Sequence, residues 1–204
     1  MSREEVRAHQ RDRIFRALET VMAPKGYAET SVADIIKGAG VSRQTFYELF
    51  SSKQDCFLAS YSNRQGAVIE EMVGKPAGTS PMDRLSLLLE AYLAVMAKDP
   101  DLSRLYLIGV YTAGPEAIGK RLELQQAFVD VVAGVLEVGT AHDRFVCQAL
   151  VAATSTLVTN ALLEANPQAV RDLHQPLLGL AQKLMGASKP EVPEAPHASH
   201  STKR

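Results

Sequence analysis

The sequence predicts an all-α protein of about nine helices, and three observations lead to that prediction. Apolar residues recur at helical spacing along almost the whole chain. No short stretch alternates cleanly between apolar and polar side chains and ends at turn residues, as a half-buried strand would. Serine, proline and glycine divide the pattern at positions where helices commonly begin and end.

The composition is that of a soluble globular protein. With 204 residues and 46% hydrophobic content, the chain can bury a substantial core in one or two domains. No apolar run is long enough to cross a bilayer, and the first residues are charged where a signal peptide would be apolar. We therefore expect a cytoplasmic protein with no membrane partner. Cys56 and Cys147 lie inside apolar helical patterns and are expected to be buried.

Charge is distributed unevenly along the chain. Residues 1–65 contain ten Lys/Arg and eight Asp/Glu, a net charge of +2, whereas residues 66–204 contain twelve and fifteen, a net charge of −3. This asymmetry has the sign expected of a phosphate-binding segment joined to a neutral or acidic one. It is too small to identify a nucleic-acid-binding protein by itself.

The first helix is predicted over residues 4–23, where an apolar stripe ends before Pro24 and Gly26. Three further helices then begin, each with an N-cap serine and an acidic or hydroxyl residue three places later: Ser31 with Asp34, Ser42 with Thr45, and Ser52 with Asp55. Between the second and third helices, residues 38–41 read Gly-Ala-Gly-Val. A glycine that can adopt positive φ, followed closely by a new cap, is typical of a helix-turn-helix corner.

The remaining helices are longer. The fourth is predicted from Ser52 to about residue 73, before a loop of glycine and proline, and the others over about 85–96, 101–111, 115–138, 141–165 and 167–185. The eighth, over 141–165, is apolar nearly all round, and Pro176 interrupts the ninth. Residues 187–204 contain little apolar material and are expected to form a disordered tail.

The N-terminal segment resembles a known family. The stretches Gly-Tyr-Ala-Glu-Thr-Ser-Val-Ala-Asp-Ile-Ile from residue 26 and Ala-Gly-Val-Ser-Arg-Gln-Thr-Phe-Tyr from residue 39, followed by Phe50 and Lys53, resemble the signature of the TetR family of bacterial regulators. The resemblance implies a three-helix DNA-binding domain over residues 1–51. It also implies a helical ligand-binding and dimerisation domain over residues 52–186.

The outer face of the third helix carries the candidate base-reading residues. Arg suits guanine, Gln suits adenine, and Thr can bond a base or contact a thymine methyl in the major groove. We therefore expect Arg43, Gln44 and Thr45 to contact base edges. The family pattern often has glycine at the position of Gln44, so this sequence departs from the pattern there.

Phosphate contacts are expected from the edges of the same unit, where they set the register on DNA. Thr30 and Ser31 lie at the start of the second helix, where backbone N–H groups and the helix dipole favour an anion. The resemblance adds Tyr47 and Lys53 as phosphate-contacting residues. Ser42 completes the set, although the serines at positions 31, 42 and 52 can equally act only as helix caps.

A second copy of the chain is implied by the size of the reading helix. A helix of about seven residues spans about 10 Å and reads three or four base pairs, so useful specificity needs two copies. The eighth helix has enough apolar surface to pack against its own domain and against a partner. The resemblance implies a homodimer formed by helices eight and nine.

Helices five to seven predict a cavity for a small, largely apolar effector. They carry aromatic and sulfur-containing side chains among aliphatic ones, a mixture that suits a ligand site and also suits plain core packing. The candidate lining residues are Tyr92, Met96, Tyr106, Tyr111 and Phe128. By resemblance, an effector bound there would release a dimeric repressor from a palindromic operator.

An enzyme and a DNA-binding protein without an effector are the two other functional classes to compare with the sequence. An enzyme is disfavoured because the sequence has no G-x-S-x-G, P-loop, dinucleotide or H-E-x-x-H motif, and its five histidines are scattered. We accordingly expect no catalytic residues, no metal and no cofactor. A DNA-binding activator or architectural protein without an effector shares every N-terminal feature and remains the alternative.

Overall fold

A computed structural model describes residues 2–73, 80–164 and 166–186. The described residues form α-helices and one 3₁₀ turn, with no strand, which confirms the all-α prediction. The predicted loop around residues 74–78 and the predicted tail at 187–204 lie outside the described residues. In chain order the helices are α1 Arg3–Lys25, α2 Val32–Ala39, α3 Arg43–Leu49, α4 Lys53–Val73, α5 Pro81–Lys98, α6 Pro100–Leu107, α7 Pro115–Val135, α8 Ala141–Leu163, α9 Pro167–Asp172 and α10 His174–Gly186.

The helix starts follow the caps that the sequence contains. The side chains of Ser31 and Ser42 accept hydrogen bonds from backbone N–H groups three residues later, and Ser52 does the same for Asp55. Ser80, which lies in a predicted loop, caps α5 together with Asp83. Each such cap satisfies a backbone donor that the helix itself cannot pair.

The predicted ninth helix is two helices. α9 ends at Asp172 and α10 begins at His174, so the break lies just before Pro176. A proline has no N–H, and its ring clashes with the carbonyl four residues earlier, here that of Asp172. Pro176 therefore stands in the first turn of α10, where a missing N–H costs nothing. The predicted sixth helix similarly ends early and continues as the 3₁₀ turn Gly109–Thr112.

Two hydrophobic clusters form the core. The first joins α1, α2, α3 and the start of α4 to α6, with Ile14, Leu18, Phe46 and Phe57 almost fully buried. The second joins the end of α4 to α5, α7, α8, α9 and α10. The first cluster therefore crosses the predicted boundary at residues 51 and 52, because α4 packs with both groups of helices. Cys56 and Cys147 are both fully buried, as expected.

Helix α8 is covered on one side only. Val146, Leu150 and Val158 are buried against the second cluster. On the opposite face Phe145 is 65% exposed and Leu163 is 62% exposed, with the exposed small residues Ala149 and Ala152 between them. Among the described residues, α8 is also the one helix whose length and composition would suffice to cross a membrane, which is true of core helices of soluble proteins as well.

Candidate nucleic-acid interface and ligand cavity

The corner between α2 and α3 depends on close backbone contacts. Gly40 ends α2 in the left-handed conformation, with φ 59° and ψ 39°. The Arg13 guanidinium of α1 donates hydrogen bonds to the carbonyls of Ala39 and Gly40 at 2.6 and 2.9 Å. A cation here satisfies the last carbonyls of α2 and matches the negative end of its dipole. α1 therefore fixes the direction in which the chain leaves α2.

α3 has one buried and one exposed face. Phe46 is fully buried, where it packs against Phe50 with ring centroids 5.8 Å apart. On the exposed face, the Arg43 guanidinium lies 5.6 Å from the Tyr47 ring centroid, and Gln44 donates to the Glu48 carboxylate at 2.9 Å. These pairs are four residues apart and hold neighbouring side chains along one helix face.

The three predicted base-reading residues lie together at the start of α3. Arg43 and Gln44 are exposed, and Thr45 is half-buried with its hydroxyl 2.8 Å from that of Ser42. Arg43 has guanidinium donors to offer a guanine, and Gln44 would have to leave Glu48 to reach an adenine. Their assignment as base contacts stays a prediction.

Ser31 and Tyr47 keep positions compatible with phosphate contact. Tyr47 is 44% exposed on the outer face of α3. Ser31 caps α2 and bonds the Asp34 carboxylate at 2.8 Å, while Lys25 lies 3.3 Å from the same carboxylate. These hydrogen bonds to Ser31, together with Lys25, lower the pKa of Asp34 to about 2. The start of α2 thus already has a bound carboxylate beside Ser31, and phosphate contact by Ser31 stays a prediction.

Thr30 and Lys53 do not have the free side chains that the sequence suggested. Thr30 is 1% exposed, and its hydroxyl donates to the Gly26 carbonyl at 2.8 Å. Lys53 Nζ donates to the Tyr27 and Thr30 carbonyls at 2.8 Å each and lies 4.2 Å from the Tyr27 ring centroid. Two of its three donors are therefore occupied in holding the α1–α2 loop. In this conformation the Thr30 hydroxyl cannot reach a phosphate, and Lys53 has one donor to offer.

A buried polar connection joins α1 to α4 and α6. The Tyr106 hydroxyl of α6 donates to the Glu19 carboxylate at 3.0 Å and lies 2.8 Å from the Ser60 hydroxyl of α4. Burial raises the pKa of Glu19 above its ordinary value of 4.5. α1, α4 and α6 are therefore tied through one hydroxyl group.

A large cavity lies among α4, α5, α7 and α8. Its empty space, together with the open solvent at its mouth, is about 820 Å³. Burial in this surrounding raises the pKa of Tyr92 to about 12. Most lining side chains are apolar: Met72, Leu85, Leu88, Leu89, Tyr92, Met96, Leu107, Leu124, Phe128, Val132, Leu150, Val151 and Leu177, with Tyr61, Gln65, Arg121, Gln125, Thr154 and Ser155 supplying polar groups.

Three of the five predicted pocket residues line this cavity, namely Tyr92, Met96 and Phe128. Tyr106 does not, because its hydroxyl is committed to Glu19 and Ser60, and its side chain borders a smaller pocket of about 290 Å³. Tyr111 is 53% exposed on the 3₁₀ turn and is not a lining residue. It reaches the cavity only indirectly, through a hydrogen bond from Arg121.

Sequence reasoning missed the polar part of the cavity. Arg121 lies on the same face of α7 as Leu124 and Phe128, three and seven residues further on. A charged residue within an apolar stripe was the available signal for a functional position. Tyr61 and Ser155 gave no such signal, since α4 and α8 meet α7 only in the folded chain.

No group of three or more His, Cys, Asp or Glu side chains that could hold a metal ion occurs within residues 2–73, 80–164 and 166–186. Burial raises the pKa of the Cys56 thiol to about 12, which keeps it protonated.

Residues 14–60, from the middle of α1 to α4, match the family model described as bacterial regulatory proteins, tetR family. The match includes the α2–α3 corner, its caps and the exposed face of α3. Over this segment the chain is similar to the TetR family. This agrees with the resemblance noted in the sequence.

The curated relatives of this chain are regulators. It is 27% identical over 128 residues to the fatty acid metabolism regulator protein of Bacillus subtilis, and 33% identical over 92 residues to the HTH-type transcriptional regulator TcmR of Streptomyces glaucescens. These matches span 62% and 45% of the chain, and 66% and 39% of the relatives. The chain thus covers less than two thirds of the length of each relative.

Solved structures share most of this fold. FadR from Bacillus subtilis, in complex with stearoyl-CoA, aligns with a TM-score of 0.74 at 22% identity, over 83% of this chain and 96% of that one. FadR from Bacillus halodurans aligns with a TM-score of 0.75 at 21% identity, over 88% and 96%. At such identities the likeness establishes the fold of the chain and no more.

Proposed function

We propose that this TetR-family chain is a dimeric transcriptional repressor, which binds a palindromic operator through α3 and is released by a small, largely apolar effector. The observation that carries the proposal is the α2–α3 corner, with Arg43 and Gln44 exposed at the start of a helix that Phe46 anchors in the core. Such a helix N-terminus can enter the major groove of DNA. The division into a DNA-binding domain over residues 1–51 and an effector domain over 52–186 is part of this proposal.

Dimerisation is proposed through the exposed face of α8 together with α10. A seven-residue helix reads three or four base pairs, so a specific operator needs two half-sites. The exposed large side chains of Phe145, Leu157 and Leu163 on α8 form an apolar surface that a second copy would cover. A second copy packed on α8 would account for its exposed apolar side chains, so no membrane is needed to explain them. We place the protein in the cytoplasm, where it can bind both DNA and effector.

The effector site is proposed to be the cavity among α4, α5, α7 and α8. FadR from Bacillus subtilis has this fold and was solved in complex with stearoyl-CoA, which supports a ligand role for the corresponding helices. Release follows if the effector binds a conformation in which the two α3 helices no longer fit successive major grooves. The alternative is an activator or architectural protein without an effector. Such a protein does not need a cavity lined mostly by apolar side chains.

The proposal is tested by operator binding of the full-length protein. We expect a palindromic fragment to be bound and Arg43→Ala to cost about 1–3 kcal/mol, with relaxed preference at one position of each half-site. Fluorescence anisotropy against a set of single-base operator variants measures both effects. Arg171→Ala, an exposed arginine on α9, is the matched control and should bind as the wild type does.

Two outcomes would contradict the proposal. Equal losses for Arg43→Ala on every DNA sequence would remove Arg43 from base reading and make it a phosphate contact. Binding of no palindrome at all, by a protein that is folded and dimeric, would reject the regulator function itself.

A further inference from the structure

Arg121 is the one charged side chain among the residues that line the large cavity. It projects from α7 at the boundary between the apolar lining and a polar group formed by Tyr61, Tyr111 and Ser155. A charged side chain removed from bulk water normally has an opposite charge nearby. No ion pair within the described residues involves Arg121.

Hydroxyl groups hold the guanidinium in place without neutralising it. Arg121 Nε donates to the Tyr111 hydroxyl at 2.7 Å, and Nη2 donates to the Ser155 hydroxyl at 3.1 Å. The Tyr111 ring also lies against the guanidinium, with its centroid 5.2 Å away. Arg has five N–H donors, so these two bonds and a third with Tyr61 still leave donors for a further acceptor. Each hydroxyl that accepts from Arg121 can itself donate a hydrogen bond to that acceptor.

The rest of the lining selects an apolar group. Met72, Leu85, Leu88 and Leu89 supply aliphatic surface from α4 and α5, and Phe128 adds an aromatic ring from α7. A ligand that filled this part and left Arg121 without an anion would bury an unpaired charge. A ligand with an anionic group at one end would satisfy both parts of the cavity at once.

We propose that the effector is an amphipathic anion, with an aliphatic tail among the leucines and one carboxylate or phosphate group bound by Arg121. The inference rests on the proposed effector function of this cavity and adds the chemical class of the ligand. The planar guanidinium binds either oxyanion through paired N–H donors. The Tyr111 and Ser155 hydroxyls keep that guanidinium oriented toward the head group.

The test compares ligands that share a tail and differ in the head group. Laurate, dodecyl phosphate and dodecanol are titrated into the full-length protein by calorimetry. We expect laurate or dodecyl phosphate to bind at least about tenfold more tightly than dodecanol, as a charge-assisted hydrogen bond requires. The stronger of the two anions distinguishes a carboxylate effector from a phosphate one.

Arg121→Gln should remove this preference and leave dodecanol affinity unchanged, which also shows that the variant is folded. Arg144→Gln is the matched control, because Arg144 on α8 is half-exposed and pairs with Asp130 outside the cavity. Arg121→Lys keeps the charge without the paired donors and should give an intermediate preference.

Equal affinity for laurate, dodecyl phosphate and dodecanol would overturn the assignment of an anionic head group. Binding of none of the three would overturn the amphipathic ligand class. In both cases operator binding by the same preparation is measured separately, so failure of the ligand inference is distinguished from failure of the regulator function. An equal loss of all three ligands in Arg121→Gln would make Arg121 a structural residue.

Discussion

Gly40 shows how one residue determines the geometry of the DNA-binding unit. Its left-handed backbone places the Ala39 and Gly40 carbonyls where the Arg13 guanidinium can bond both. A Cβ atom at position 40 would lie 2.9 Å from that guanidinium, and the backbone conformation itself disfavours a side chain. Both the turn and its cation depend on the absence of a side chain.

Gly40→Ala should lower the free energy of unfolding by about 1–2 kcal/mol, from backbone strain with an added contribution from displaced Arg13. Urea denaturation followed by circular dichroism measures the change. Gly66→Ala is the control, since a Cβ at that position in α4 meets no atom within 4 Å. It should raise stability by about 0.5–1 kcal/mol. A neutral Gly40→Ala would show that the corner tolerates a side chain.

At the residue scale, the sequence predicted local features and missed those that depend on distant partners. Ser31 and Ser42 are caps because a cap needs only residues three positions apart. The burial of Thr30 was not predictable, because its hydroxyl turns back to the Gly26 carbonyl inside the α1–α2 loop. The hydrogen bonds of Lys53 were not predictable either, because the two carbonyls that accept them lie more than twenty residues earlier in the chain. Phosphate contact by both residues stays a prediction.

At the scale of the helices, the hydrogen bonds of Tyr106 link α1 to α4, which is one of the helices that line the large cavity. The Tyr106 ring also stacks on that of Tyr61, with centroids 5.5 Å apart, and Tyr61 lines the large cavity. A ligand that contacts Tyr61 is therefore connected to Glu19 on α1 through the side chains of Tyr61 and Tyr106. This is a physical connection by which occupancy of the cavity can bias the position of the DNA-binding helices.

Tyr106→Phe should lower the free energy of unfolding by about 1–3 kcal/mol, because it leaves the Ser60 hydroxyl and the Glu19 carboxylate without this partner. It should also reduce the ratio of operator affinities without and with effector. Glu19→Gln keeps an oxygen acceptor for Tyr106 and is the control. Thermal unfolding and operator titrations of both variants provide the measurements. An unchanged ratio in Tyr106→Phe would exclude this route of communication.

The pH dependence of Glu19→Gln provides a second readout. The folded protein holds the Glu19 proton more tightly than the unfolded chain, because the pKa is raised from 4.5. Its contribution to stability is therefore fully present below that value and is lost as the pH rises through the folded pKa. Glu19→Gln should remove this part of the pH dependence.

The sequence predicted where most helices begin, but it predicted less well where they end or divide. The start of nearly every helix follows from an N-cap or a proline in the first turn, and both are local signals. The division between α9 and α10 was visible only as Pro176 inside an apolar pattern, since the pattern itself continues across the break. The early end of α6 had no comparable signal in the sequence.

For the whole molecule, the uncovered face of α8 is the surface through which we propose that two copies associate. Phe145 and Leu163 lie near opposite ends of the helix and are exposed to a similar extent, so the apolar surface extends along its length. In a twofold-symmetric pair each substitution occurs twice at the interface. A single change therefore has a doubled effect on the dimer.

Phe145→Asp should weaken dimerisation by about 3–6 kcal/mol, which counts the loss of one buried aromatic side chain from each copy. Sedimentation velocity should then show monomers, and operator binding should weaken with them. Val6→Asp changes an apolar residue of α1 that is 38% exposed and should leave a dimer. A Phe145→Asp protein that remains dimeric would exclude this face of α8 as the interface.

The cavity is the part of the molecule that the sequence predicted least completely. Its aromatic residues on α5 and α7 could be named from helical spacing, but its volume and its polar boundary arise from four helices packing together. No local pattern reveals that Tyr61 of α4 and Ser155 of α8 both meet Arg121. The proposed preference for an anionic head group therefore follows only from the folded structure.

The aromatic composition also makes the molecule its own optical reporter. The chain has no tryptophan and six tyrosines, so its intrinsic emission is that of tyrosine alone. Tyr61 and Tyr92 line the cavity, while Tyr106 and Tyr111 contact its residues. The other two, Tyr27 and Tyr47, belong to the α2–α3 region. Occupancy of the cavity can thus be followed without a label, and a single tryptophan introduced on α3 would report DNA contact at a separate wavelength.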